Sequence, residues 1–215
     1  MSVPPFLSLA EPHEAEQTIK KSRFIGNAAP ITSEEDAQAF LTSVSDALPK
    51  ANHHTFAYVI GDHDEITRQS DGGEPSGTAG SPLLNVITRL GLHNVIIVVT
   101  RFFGGIKLGA GGLIRAYGST ASLAAAGSVV ARQRLARYQI TLSYQQAEPL
   151  TPWLTDRVVT VVDTAYAVAV TFTVLVNAAD ATFVTDLTSK TNGQAQIVDT
   201  GETFAFVPYD PETTK

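Results

Sequence analysis

The sequence predicts an α+β protein of two domains, and three observations carry that reading. At roughly 150 residues per domain, 215 residues make one or two domains, and 44% hydrophobic with 17% charged residues builds ordinary cores. Strand-like and helix-like periodicities alternate along the chain, with no internal repeat and no low-complexity tract. Between residues 130 and 138 the texture changes, from apolar runs and glycine-dense loops to strands of alternating apolar and polar residues. The expected domains are 1–132 and 138–208.

In the first domain, Thr18 to Pro30 reads as one extended segment. Ser33 with Asp36 makes a capping-box-like helix start, since each side chain can satisfy a free N–H of the other's backbone. Ala37, Phe40, Leu41, Val44 and Leu48 follow at helical spacing, and Pro49 ends the helix. Thr55–Ile60 reads as a buried strand, turned at Gly61-Asp62 into a second strand near Glu65–Gln69. Ser70–Ser81 is loop by composition, and Pro82 suits the first turn of a helix running to about Leu90. Asn94–Arg101 is a β-branched run expected to be a fully buried strand. A glycine-dense loop over Gly104–Gly112 and an apolar helix to about Ala126 complete the domain.

In the second domain, Tyr138, Ile140, Leu142 and Tyr144 alternate with polar residues, which predicts a half-exposed strand. Gln146–Thr155 is helical in pattern although Pro149 and Pro152 interrupt it. Strands at Val158–Asp163 and Tyr166–Val176, a helix at Ala179–Lys190 and a strand at Gln194–Val207 follow. The order βαββαβ is the split-βαβ, ferredoxin-like pattern.

Charge is unevenly spread. The net charge of −6 argues against a general nucleic-acid coat, yet residues 1–137 balance 12 Lys/Arg against 12 Asp/Glu. Residues 138–215 hold 3 basic and 9 acidic residues and so carry the whole excess. Between Glu74 and Glu148 there is no carboxylate, while Arg89, Arg101, Lys107, Arg115, Arg132, Arg134 and Arg137 contribute seven positive charges. Gathered on one face, they attract anions; paired with the acidic residues of 34–74, they do not. The absence of cysteine excludes disulfides, thiolate catalysis and metal sites built on Cys. No apolar run approaches the ~18–20 residues of a membrane span, and the first residues lack a signal-peptide pattern, so a cytoplasmic protein without membrane contact is expected.

Two constellations are candidates for chemistry. Arg101–Arg115 (RFFGGIKLGAGGLIR) places glycines in a loop that opens onto a helix, an arrangement that brings backbone N–H groups close to an anion. Arg101, Lys107 and Arg115 would supply cations, and Gly104, Gly105, Gly109, Gly111 and Gly112 close backbone approach. The loop lacks the Gly-Lys-Ser/Thr of a P-loop, and tight packing against a sheet explains the glycines equally well. The other constellation joins ANHHT at 51–55 with the 70–81 loop: His54, Asp71, Glu74 and Ser76 form a possible polar site for acid–base work or weak metal binding. Adjacent His53 and His54 on a strand point to opposite faces, so at most one of them joins it.

KSRFI at 21–25, the His53–Tyr58 stretch, SDGGEPSGTAGSP at 70–82 and NVIIVVTRFFGGIKLGAGGLIRAYG at 94–118 closely resemble the IMPACT family, in its bacterial YigZ-like branch. The resemblance covers about residues 18–127, and the remainder resembles the smaller domain that follows it in bacterial members. It implies a first domain like the second domain of ribosomal protein S5, an α/β sandwich. The second is then ferredoxin-like, akin to the last domain of the translocation elongation factor. The family's eukaryotic members regulate translation by competing for the activator of a starvation-responsive kinase. Gly72, where an acidic residue is usual, and Thr55, where Cys is common, differ from the family pattern.

The expectation is a non-enzymatic, translation-linked regulator that contacts RNA or the ribosome through the basic first domain, without cofactor or metal. An enzyme or binding protein for a small phosphorylated ligand at the two glycine-rich loops, and a protein-interaction module in translation control, are the alternatives.

Overall fold

The computed structural model describes residues 6–209 apart from Ser128 and Val158. The chain divides into two compact units, one ending at Arg132 and rejoined at Phe206, the other running Gln133–Ala205. No helix among the described residues is long and apolar enough to cross a membrane.

In the first unit a short strand β1 (Leu7–Leu9) precedes the hairpin β2 (His13–Ile19) and β3 (Ser22–Pro30), then helix α1 (Glu34–Ala47). Strands β4 (His53–Ile60) and β5 (Ile66–Ser70), helix α2 (Gly80–Leu90), strand β6 (Val95–Phe102) and helix α3 (Ala110–Ala124) follow. The sheet order is β2-β3-β6-β4-β5, antiparallel throughout. β6 sits at its centre and is covered on both faces, which is why its β-branched run lacks polar alternation. Ile96 and Val98 join Ala37, Val44 and Ile60 beneath α1, while Val95, Ile97 and Val99 join Phe24, Ala57, Leu83, Ile87 and Tyr117 beneath α2 and α3. This is the S5-like α/β sandwich.

The structure corrects several local expectations here. The extended segment 18–30 is two strands, because Lys20 and Lys21 both take left-handed φ and reverse the chain in two residues. β2 has few apolar residues and lies at the sheet edge, so its sequence carries little strand signal. The helix after the second glycine-rich loop starts at Ala110, so Gly111 and Gly112 belong to its first turn. The expected box at Ser33 and Asp36 is present in full and starts α1 at Glu34. The Thr32 hydroxyl first and then the Thr32 N–H, with the Ser33 hydroxyl and N–H adding to them, hold the exposed Asp36 carboxyl below the ordinary range.

Strand β7 (Val129–Leu142) begins eight residues before Arg137 and pairs with β1 at Leu7–Leu9 before entering the second unit. There follow α4 (Tyr144–Asp156), β8 (Thr160–Tyr166), β9 (Val170–Asn177), α5 (Phe183–Lys190) and β10 (Gln196–Pro208). In the sheet β10 pairs β7, β7 pairs β9 and β9 pairs β8, the strand order of a ferredoxin-like βαββαβ domain. Pro149 and Pro152 lie inside an unbroken α4, where burial of Ala147, Leu150 and Leu154 against Ile140, Phe172 and Val174 outweighs the lost N–H groups. Tyr166 ends β8 instead of opening β9. The expected first residue of β8, Val158, lies outside the described residues. Helix α5 starts at Phe183 instead of Ala179, because the Asp180 carboxylate accepts from the N–H and hydroxyl of Thr182 and holds a turn there. The last strand is 196–208 instead of 194–207.

Two glycines separate what the fold needs from what it tolerates. A Cβ on Gly104 would stand 1.9 Å from the Lys21 carbonyl oxygen, whereas one on Gly118, inside α3, would meet nothing within 4 Å. Gly118→Ala should therefore raise stability by roughly 0.5–1 kcal/mol, and Gly104→Ala should lower it by about 1–3 kcal/mol. Urea denaturation of both variants checks the pair.

Candidate functional site

The centre of the site is an ion pair inside the first unit. Arg101 leaves the end of β6 on the α3 face and is 5% exposed. Its Nη1 donates to Oε1 of Glu74 at 2.7 Å, and Nη2 donates to Ser22 Oγ at 3.3 Å. Tyr117 of α3 is fully buried and donates its hydroxyl to the same Glu74 oxygen at 2.7 Å. Burial, and then that bond to Glu74, push the Tyr117 phenol far above its ordinary value, so it stays a donor. The guanidinium carbon lies 5.4 Å from the Phe24 ring centroid and 5.5 Å from that of Phe103. A buried charge pair persists only where its desolvation is repaid by close geometry and further hydrogen bonds. Here Tyr117 and Ser22 supply them, while Arg101 Nε has no partner.

Glu74 reaches this core from the loop between β5 and α2. Asp71 shapes that loop: Oδ1 accepts from the N–H groups of Ala79 and Gly80, and Oδ2 from Gly77. These bonds replace an N-cap side chain, since the N-cap residue Ala79 offers none. Burial disfavours the Asp71 carboxylate, but the three N–H donors outweigh it and hold the group below its usual range. His53 donates from Nδ1 to the Gly72 carbonyl at 3.0 Å and brings Nε2 to 3.8 Å from Glu74 Oε1. His54 points to the other face, its Nδ1 3.0 Å from Thr100 Oγ1. Burial lowers its pKa first, with the neighbouring His53 adding to that and the Leu48 backbone opposing it. The polar cluster thus contains His53, Glu74 and Asp71's loop. His54 is not part of it, because one step along a strand reverses the side chain. Ser76 is exposed at the loop surface.

The second glycine-rich loop is clamped at its root. Phe103 N–H donates to Asn52 Oδ1 at 2.7 Å and Gly104 N–H to Ser22 Oγ at 3.2 Å, with Gly104 packed on the Lys21 carbonyl. Gly105 and Gly109 hold left-handed φ values of 83° and 73°, which allow the loop to turn out and back to α3. Lys107 and Arg115 are exposed, and Arg115 Nη1 lies 3.6 Å from where a Cβ of Gly111 would stand, over the first turn of α3. The β2–β3 turn, with exposed Lys20 and Lys21, reaches the root of the same loop through the Lys21 carbonyl at Gly104, a convergence that the distance along the chain hides in the sequence. None of these four cations has an ion-pair partner among the described residues. Other cations of the acid-free stretch do: Arg101 with Glu74, Arg132 with Asp62 and Arg134 with Glu202.

A two-unit protein with an S5-like α/β sandwich and a ferredoxin-like unit is the class that fold and site define. Residues 20–125 match the Impact N-terminal domain, and residues 140–194 match a domain of unknown function, DUF1949. The chain is 48% identical over 117 residues to the IMPACT family member YvyE of Bacillus subtilis, covering 54% of each. It is 40% identical over 140 residues to the IMPACT family member YigZ of Escherichia coli, covering 64% of this chain and 69% of that one. A crystal structure of a hypothetical protein matches with a TM-score of 0.58 and 34% identity, over 90% of this chain and 96% of that one. The chain belongs to the IMPACT family. Its match spans about half the length of YvyE.

Glu74→Gln leaves the Arg101 charge buried without its counterion and should cost roughly 3–5 kcal/mol, read from chemical denaturation. Asp71→Asn should cost about 1–2 kcal/mol at neutral pH, as loss of a helix cap does. Because the folded carboxyl titrates below its unfolded value, that contribution is complete above the ordinary carboxylate range. It disappears as pH falls through the lowered value, so the gap between the native protein and Asp71→Asn narrows on acidification.

Proposed function

We propose that this protein is a non-enzymatic, translation-linked regulator that binds RNA or the ribosome through the basic, glycine-rich face of its first unit. The observation that carries this reading is the set of four exposed cations without ion-pair partners among the described residues, Lys107 and Arg115 on the 103–109 loop and the helix it opens onto, and Lys20 and Lys21 in the turn packed against that loop's root. A chain of net charge −6 resists phosphate backbones in general, so a local cationic surface attracts them at one place. Membership of a family linked to translation control supports the same direction.

Within this reading Lys107 and Arg115 contact phosphate, and Gly105, Gly109, Gly111 and Gly112 let a backbone approach. Gly104 sets the loop's root. Arg101 acts as a positioning residue, since Glu74 already neutralises it inside the core. The same neutralisation takes Arg101 out of any anion clamp for a small phosphorylated ligand between the loops, which favours RNA as the ligand.

Co-sedimentation with purified ribosomes at low and near-physiological salt tests the proposal. Native protein should bind more tightly at low salt. Lys107→Ala with Arg115→Ala should weaken binding and reduce the slope of log K against log salt by about 1.4–1.8, the equivalent of two phosphate contacts. A folded double variant with unchanged affinity and slope contradicts the assignment.

A further inference from the structure

Phe103 is an aromatic residue that the fold holds firmly and leaves open. It follows Phe102 at the end of β6, and the residue remains 47% exposed. One side of the ring is taken by the Arg101 guanidinium, which Glu74 and Ser22 immobilise in turn. Its N–H is bound by Asn52, and the next N–H by Ser22. The ring is therefore set in place before any ligand arrives, and little conformational freedom is left to lose on binding.

The turn beside it is also unusual. A two-residue hairpin turn with both φ positive favours Asn-Gly, yet here Lys20 and Lys21 adopt 45° and 64°. Side chains in that region carry steric strain, and strained positions cluster where a surface is used. The Lys21 carbonyl packs directly on Gly104, the residue after Phe103, so the backbone of the two-lysine turn adjoins the residue next to the ring. Ile106, 41% exposed, and Lys107 continue that area along the loop.

We infer that Phe103 is a stacking platform for a base of single-stranded RNA, with the flanking phosphates taken by the Lys20–Lys21 turn and by Lys107. The inference rests on the RNA reading above and refines it. Cations alone would suit a duplex as well, because both present phosphates. An exposed aromatic ring on a loop that also carries exposed cations suits a strand whose bases are free to splay out, and stacking of this kind is tolerant of sequence.

Fluorescence anisotropy with labelled oligouridine of about 12 nucleotides, and with an RNA duplex of similar length, separates the possibilities. The probes are titrated with the native full chain and with Phe103→Leu, Phe103→Tyr and the Lys107→Ala/Arg115→Ala variant. Phe103→Leu keeps apolar volume over Arg101, and matched thermal melting confirms that it folds. It should lose on the order of tenfold in affinity for the single strand with an unchanged salt slope. Phe103→Tyr should retain that affinity, and duplex binding should not respond to either change. Single-strand binding that weakens in the cation variant but not in Phe103→Leu overturns the platform and leaves the RNA reading intact. Failure of the native protein to bind either RNA at low salt, together with no ribosome binding, overturns both.

Discussion

The first unit depends on one buried ion pair. Arg101 at the end of the central strand and Glu74 from a surface loop meet where neither charge would survive alone, since an isolated buried ion costs far more than folding supplies. The pairing has a structural consequence, because Glu74 can reach Arg101 only if the loop that carries it folds over the end of the sheet. Asp71 completes that closure by taking three N–H groups of the same loop and capping α2. Tyr117 ties α3 to the pair, and Ser22 ties β3 and the root of the second loop to it. Two loops, two helices and two strands thus converge on a single guanidinium and carboxylate.

This convergence divides the cations of the acid-free stretch into two kinds. Arg101 is inside and neutralised, and its work is to hold the frame and back the Phe103 ring. Lys107 and Arg115 are outside, on a loop whose root that frame fixes. The glycines divide in the same way. Gly104 allows backbone to pack on the Lys21 carbonyl, while Gly105 and Gly109 turn the chain. Gly111 has open space around its Cβ direction apart from Arg115, and nothing in the unit's own packing explains why it is glycine.

Much of the fold was legible because local patterns and burial agree. The uniform β-branched run of β6, the cap at Ser33 and Asp36 and the βαββαβ order of the second unit each follow from period and end signals. β2 was not legible, since an edge strand reading His-Glu-Ala-Glu-Gln-Thr-Ile has few apolar residues to mark a face. The turn between it and β3 lacks the glycine or asparagine that announces such turns. At the site, both members of the ion pair stood out as charged residues, but their partnership spans 27 residues and no spacing rule reveals it. His53 and His54 were distinguishable only as alternatives, because which neighbour faces the loop depends on strand register against β6. Lys20 and Lys21 come to the 103–109 loop through tertiary packing alone.

The buried pair organises both glycine-rich loops as one unit, and amide hydrogen exchange on Glu74→Gln reads that coupling. In that variant the amides of Gly77, Ala79 and Gly80 should lose protection together with those of Phe103 and Gly104, while the amides joining β3 to β6 keep theirs. Loss of protection in the 71–80 loop alone, with Phe103 and Gly104 as protected as in the native protein, would contradict it.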